Sequence, residues 1–407
     1  MTGNTHNGMM GGTGMATENG EYRRNFLLIC AAEFSFALSM SVVDPLLPVY
    51  VASFDVSYAV IGLVMSSFGL TRVFVEIPGG VLADRLGRRW LFFIGLALAM
   101  GSHLLSGVAQ SYVELIVARM IVGVGSAFGL TAGLMYIGEM APPAQRQRNI
   151  ARYQSMFSMG GILGPTLGGV LSDLLGIRML FFIAGGLTGL GMVLAFSLRI
   201  ARAQTPTGSK LQISRLGGMV KDPLTLVCCA ATFLTFFIFS SIRGTMIPLY
   251  GVDVLALTST QIGVVFSTTS AIIVIVLIGV VPRLEARISG PRLLVLSLVL
   301  SALAVVSLSA AADFLTLALM AVPLGLGFGL LQPTPFAMVL DRASVDNRGL
   351  MVGLVRTGGD VGIIIGPLLV GGLLDFGQPV LVFYVVAAII ALFALLSWYI
   401  FQHYAVS

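Results

Sequence analysis

Four acids and four arginines stand inside stretches otherwise built of apolar residues: Glu33, Asp44, Glu76 and Asp360, against Arg72, Arg119, Arg243 and Arg356. A charge in such a setting costs several kcal/mol unless it is paired or faces water, so each needs a reason. Two pairs are spaced i, i+4, Arg72 with Glu76 and Arg356 with Asp360, and such neighbours on a helix can neutralise each other. For the first pair the spacing favours a structural role; for the second a functional one stands beside it. That leaves Glu33 and Asp44, with Arg119 and Arg243 elsewhere. Eleven helical residues turn about 20° past three full turns and rise about 16 Å, so a regular helix puts both acids on one face at two depths. Pro45 and Pro48 follow Asp44 and are expected to bend the outer end of that helix. A carboxyl in a low-dielectric cavity favours its neutral form, and an approaching arginine restores the charged one, so the pattern suits two stations for a moving proton. Static pairing with Arg119 and Arg243 is the alternative.

The elements that hold these residues follow from composition. Of 407 residues 57% are apolar and 10% charged, with a mean hydropathy of +0.97; soluble domains carry about 25% charged residues. One water-soluble core is ruled out. Apolar stretches recur at about 26–50, 58–80, 91–109, 113–138, 152–172 and 179–199, then at about 224–248, 261–281, 293–311, 315–339, 350–373 and 380–402. Each approaches the ~20 residues a helix needs to span a bilayer. The expected fold is an all-α membrane protein of twelve transmembrane helices in two six-helix bundles, 25–200 and 223–402. A basic linker joins them at 201–222, and tails lie at 1–24, read as disordered, and 403–407. The chain opens without a basic segment before a short apolar run, so no cleaved leader is expected. Eighteen of the 23 Lys and Arg residues fall on one side of these spans, one (Arg178) on the other, and four inside. That asymmetry predicts both termini in the cytoplasm of a cell-membrane protein. The net charge of +5 then needs no nucleic acid, because the basic residues face an anionic leaflet.

Other chemistries fall away. Cys30, Cys228 and Cys229 all lie in apolar runs, so no disulfide framework is expected. His6, His103 and His403 are too dispersed for a metal motif, and neither Lys210 nor Lys221 sits in a P-loop. The expected cofactor list is empty, with the proton as coupling ion.

The halves repeat. Gly160, Gly164, Pro165 and Gly169 recur as Gly362, Gly366, Pro367 and Gly371, always 202 residues later. Two related bundles imply a pathway between them. The loop after the second span reads Gly80-Val81-Leu82-Ala83-Asp84-Arg85-Leu86-Gly87-Arg88-Arg89, a tight turn with one carboxylate and three guanidiniums. The fourth span carries Arg119-x-x-x-Gly123-x-Gly125, and the fifth Gly160-x-x-x-Gly164-Pro165-x-x-Gly168-Gly169. Gly160, Gly164 and Gly168 form a stripe that admits a neighbouring helix, and Pro165 removes an internal hydrogen bond.

Together these elements resemble the major facilitator superfamily, and the fifth-span string resembles its proton-driven exporters. The resemblance implies two pseudo-symmetric bundles that rock about a central cavity. It further implies that Asp84 latches onto the start of the eleventh span and that Arg119 takes part in proton coupling. Asp44-Pro45-Leu46-Leu47-Pro48 looks like the first span of several such exporters, which favours Asp44 over Glu33 as the coupling acid. After the eighth span the loop copy is degenerate, with Arg287 in the place of Asp84. The expectation is therefore a monomeric, non-enzymatic exporter that exchanges protons for a lipophilic or amphipathic small molecule. Phe233, Phe236, Phe237 and Phe239 on the seventh span suit either its pocket or a lipid-facing surface. The alternative substrates are sugars, organic anions or glycolipids, with Arg119 and Arg243 holding an anionic group; a receptor or channel on the same scaffold is a further alternative. One proton crossing ~100 mV yields about 2.3 kcal/mol, and one pH unit adds about 1.4 kcal/mol, enough for a several-hundredfold gradient without ATP.

Overall fold

The computed structural model describes residues 10–142, 145–198, 222–342 and 348–404. Among them regular structure is helical and no strand occurs. The first bundle holds α1 (Met10–Val43, prolonged to Ala52 through a 3-10 turn at Asp44–Leu46), α2 (Tyr58–Leu86), α3 (Arg88–Val108), α4 (Tyr112–Met140), α5 (Arg146–Leu175) and α6 (Ile177–Phe196). The second holds α7 (Pro223–Asp253), α8 (Ser259–Glu285), α9 (Gly290–Leu308), α10 (Phe314–Asp341), α11 (Arg348–Leu374) and α12 (Pro379–Tyr404). Eleven of these are long and apolar enough to cross a membrane. The twelfth, α5, has 30 residues but dilutes its apolar side chains with glycine, serine and charge.

Two boundaries differ from expectation. Residues 10–24, read as part of a disordered tail, continue α1 as helix. Met15, Ala16 and Glu18 favour helix over coil, and a helix already nucleated downstream extends cheaply. At the other end α12 continues to Tyr404, one residue into the expected tail. The expected linker, apart from Asp222, lies outside the described residues.

Sharp turns hold the helices antiparallel. Gly87, between α2 and α3, has φ 85°, and Gly176, between α5 and α6, has φ 84°. Side chains rarely adopt this region, which is why the turns carry glycine.

In the first bundle α1 packs on α5 and α6, α4 on α2 and α3, and α3 on α6. In the second α7 packs on α11, α10 on α8 and α9, and α9 on α12. The bundles meet along two main seams, α2 with α11 and α5 with α8. The repeated glycines build both layers of this arrangement. Gly160, Gly164 and Gly168 lie against α1 at Ala37, Ser41 and Val42, whereas Gly169 faces the backbone of Ser259 and Thr260 on α8. One repeat later, Gly362 and Gly366 lie against α7 at Phe233 and Phe237, and Gly371 faces the backbone of Tyr58 and Ala59 on α2. A Cβ at Gly160 would stand 2.7 Å from the Ala37 methyl, closer than van der Waals contact permits.

Both seams are closed at the end opposite Arg85, Arg88 and Arg89. The Asp375 carboxylate accepts the N–H groups of Tyr58 (2.8 Å) and Ala59 (3.1 Å), and Asp173 accepts those of Ser259 (3.1 Å) and Thr260 (2.9 Å). A helix start leaves its first N–H groups without partners. Ser57 and Thr258 take the third donor of α2 and α8 through their own hydroxyls, and the two aspartates from the opposite bundle take the first two.

Candidate functional site

The centre of the molecule is organised around the break in α1. Pro45 cannot donate to the ladder, and a 3-10 turn at Asp44–Leu46 interrupts the α-helix there. Arg119 on α4 donates to Asp44 Oδ1 at 3.3 Å, with the guanidinium over the Phe68 ring at 4.8 Å from its centroid. The arginine side chain is only 11% exposed, the aspartate 43%. The pair therefore has a buried cationic half and an accessible anionic half, and the turn that carries Asp44 also touches α8 of the second bundle.

Arg243 faces this place from the second bundle, within electrostatic reach of Asp44. It sits on a π-helical insert of α7, Phe239–Met246, in which Thr245 Oγ1 donates to the Ser240 carbonyl five residues back. Such inserts add a residue to the turn and redirect side chains, often at functional positions. The guanidinium lies over Phe239 (4.9 Å) and Phe266 (4.4 Å) and donates through Nη2 to Ser270 Oγ (2.8 Å) and the Phe266 carbonyl (3.3 Å).

Glu33 has different neighbours. Its side chain is buried, and the Tyr153 hydroxyl on α5 donates to it at 2.6 Å. Among the described residues no guanidinium forms an ion pair with it. Glu33 and Asp44 thus look to α5 and α4 respectively, rather than along one track.

Of the two pairs expected from spacing, Arg72–Glu76 is present and Arg356–Asp360 is not. Arg356 Nε meets Glu76 Oε1 at 2.6 Å and Arg72 Nε lies 3.8 Å from Asp360 Oδ1, both across the seam between α2 and α11. The local Arg72–Glu76 contact is looser, 3.9 Å, and among the described residues Arg356 and Asp360 form no ion pair. Local neutralisation of Arg356 by Asp360 is thus corrected: the facing helix places Glu76 within hydrogen-bond distance of Arg356. The network ties the two bundles together.

In the motif loop, Arg88 binds Glu139 at 2.7 Å and the Ala83 carbonyl at 2.7 Å, so it fixes the α2–α3 turn against α4. Arg89 donates to the Phe196 carbonyl and lies over Trp90 and Phe196, while Arg85 is exposed. Gly80 and Asp84 are described only as helical backbone, so the expected latch lies outside the described side chains. Phe233 and Phe237 stack on each other, and Phe233, Phe236 and Phe237 pack against the glycines of α11. Phe239 alone of the four joins the central arginine.

Two bundles, seams of repeated glycines and a broken first helix with a buried ion pair match one family. The model of the Major Facilitator Superfamily matches residues 29–287 and 255–407. The chain belongs to the major facilitator superfamily. Among its relatives is the quinolone resistance protein NorA of Staphylococcus aureus (strain COL), 24% identical over 343 residues that cover 84% of this chain and 88% of that protein. Multidrug resistance protein 2 of Bacillus subtilis (strain 168) is 23% identical over 364 residues, 87% of this chain and 90% of that one. The fold is that of a bacterial homologue of the human lysosomal transporter Spinster in an inward-facing, unoccupied conformation (TM-score 0.79, 15% identity, 94% and 98% of the two chains). A POT family transporter in complex with 5-aminolevulinic acid shares it also (TM-score 0.78, 12% identity, 93% and 96%). This superfamily member is therefore a multi-span membrane protein of a transporter family.

Proposed function

We propose that this major facilitator is a proton-coupled exporter of lipophilic or amphipathic small molecules. It stands in the cytoplasmic membrane as a monomer with both termini inside. The observation that carries the reading is the Asp44–Arg119 pair at the break of α1, where an accessible carboxylate is held by a buried guanidinium. In this reading the conformation is inward-facing, since the seam ends away from the basic loops are shut. A proton delivered to Asp44 cancels its attraction for Arg119, and departure of the proton restores the pair. Coupling follows if substrate and proton compete for this place, because only one of them then crosses in each direction. Glu33, without a guanidinium, is a second carrier deeper in the first bundle. Relatives named for quinolone and multidrug resistance support small organic compounds as cargo.

The test is flux into inverted membrane vesicles with the fluorescent amphipath ethidium and a panel of lipophilic compounds. Accumulation should follow acidification of the lumen and collapse with a protonophore. Movement indifferent to the proton gradient would remove the coupling.

A further inference from the structure

The charges around the centre do not balance. Arg119 has Asp44, and Arg72, Glu76, Arg356 and Asp360 neutralise one another across the α2–α11 seam. Arg243 touches only neutral groups, two aromatic faces, the Ser270 hydroxyl and the Phe266 carbonyl, and Asp44, within its electrostatic reach, is held by Arg119. Among the described residues no carboxylate lies within ion-pair distance of it, and its buried Nε–H has no acceptor. A guanidinium kept at mid-membrane without a counter-charge is costly, and arginine's planar fork is shaped for carboxylate or phosphate. The π-helical insert of α7 carries Arg243, and the rings of Phe239 and Phe266 flank its guanidinium plane.

We propose that Arg243 is an anion-recognition site and that the cargo is an amphipath bearing one carboxylate-like or phosphate-like group. The group sits at Arg243 with Ser270 as a second donor, and the apolar part lies against Phe239 and Phe266. This rests on the reading of the centre as the substrate site and narrows its cargo from lipophilic compounds in general to anionic ones. It also gives the two arginines separate duties: Arg119 governs the proton on Asp44, and Arg243 selects the charge of the cargo.

The site is tested at equilibrium, with no gradient, on the purified full chain in detergent. The probes are 11-(dansylamino)undecanoic acid, its methyl ester and the matching trimethylammonium compound, followed by dansyl fluorescence. The protein should bind the carboxylate at least about tenfold more tightly than either analogue, a difference of about 1.4 kcal/mol. Arg243→Gln should abolish that preference while ester binding stays within about twofold, and Arg243→Lys should restore part of it, as a point charge lacking the fork would. If Arg243→Gln fails to fold, Ser270→Ala should weaken the carboxylate selectively. Equal binding of the three probes by the unaltered protein, or equal loss of acid and ester on substitution, overturns the proposal. Because no gradient is used, charge-selective binding with gradient-independent flux would sink the coupling reading and leave the anion site standing.

Discussion

Replacing both Asp173 and Asp375 by alanine should open the end of the molecule that they now shut. Each carboxylate accepts two successive backbone N–H groups from a helix of the opposite bundle, and Asp173 also accepts the Thr260 hydroxyl at 2.6 Å. Losing a side-chain cap costs about 1 kcal/mol, within a range of roughly 0.5–2. The charge at a helix start adds about 0.3–1 kcal/mol where exposed. The two caps lie on different seams and should add, giving about 3 kcal/mol in all. In a two-state equilibrium that is a shift of roughly a hundredfold toward the form open at this end, with each single variant near tenfold. Spin labels at Gln110 on the first bundle and Ala310 on the second, both exposed at that end, report the separation by double electron–electron resonance. The background should lack Cys30, Cys228 and Cys229. A longer distance should gain population stepwise from single to double variant. An unchanged distribution in the double variant would show that these contacts do not hold the gate.

Three further outcomes are expected. Gly169→Ala and Gly371→Ala, which place a methyl group against the backbone of α8 and α2, should shift the same distance distribution in the same direction without touching either aspartate. Asp360→Ala, which leaves Arg72 only its 3.9 Å contact with Glu76, should cost up to about 3 kcal/mol of stability, read as a fall in the detergent melting temperature; an Arg72→Met second change should recover a good part, and a neutral single variant would dismiss the network. Tyr153→Phe removes the hydroxyl that Glu33 accepts, so it should displace the pH profile of transport, and a profile unmoved would remove Glu33 from the proton's path.

Much of the fold was legible because a membrane helix writes its length in apolar residues. The offset of 202 residues also anticipated the seams: Gly169 and Gly371 reach across the bundles as a pair. Followed four residues further, the same offset joins Asp173 to Asp375, and that signal was present but not drawn upon. Helix α5 shows the limit of hydropathy, since its glycine string, not its greasiness, marks it as a span. Spacing made the Arg72–Glu76 contact legible, but not the partners across the seam, Arg356 with Glu76 and Arg72 with Asp360, which depend on how α2 and α11 face each other. The π-helical insert under Arg243 leaves no sequence period to read.

The central claim is that protonation of Asp44 couples cargo to the gradient. It is tested most directly in proteoliposomes by measuring two things on one variant, Asp44→Asn: counterflow of labelled substrate with no gradient, and accumulation driven by an imposed pH difference. Counterflow should persist while accumulation above equilibrium is lost. Full pH-driven accumulation by Asp44→Asn, and by Asp44→Asn combined with Glu33→Gln, would contradict it.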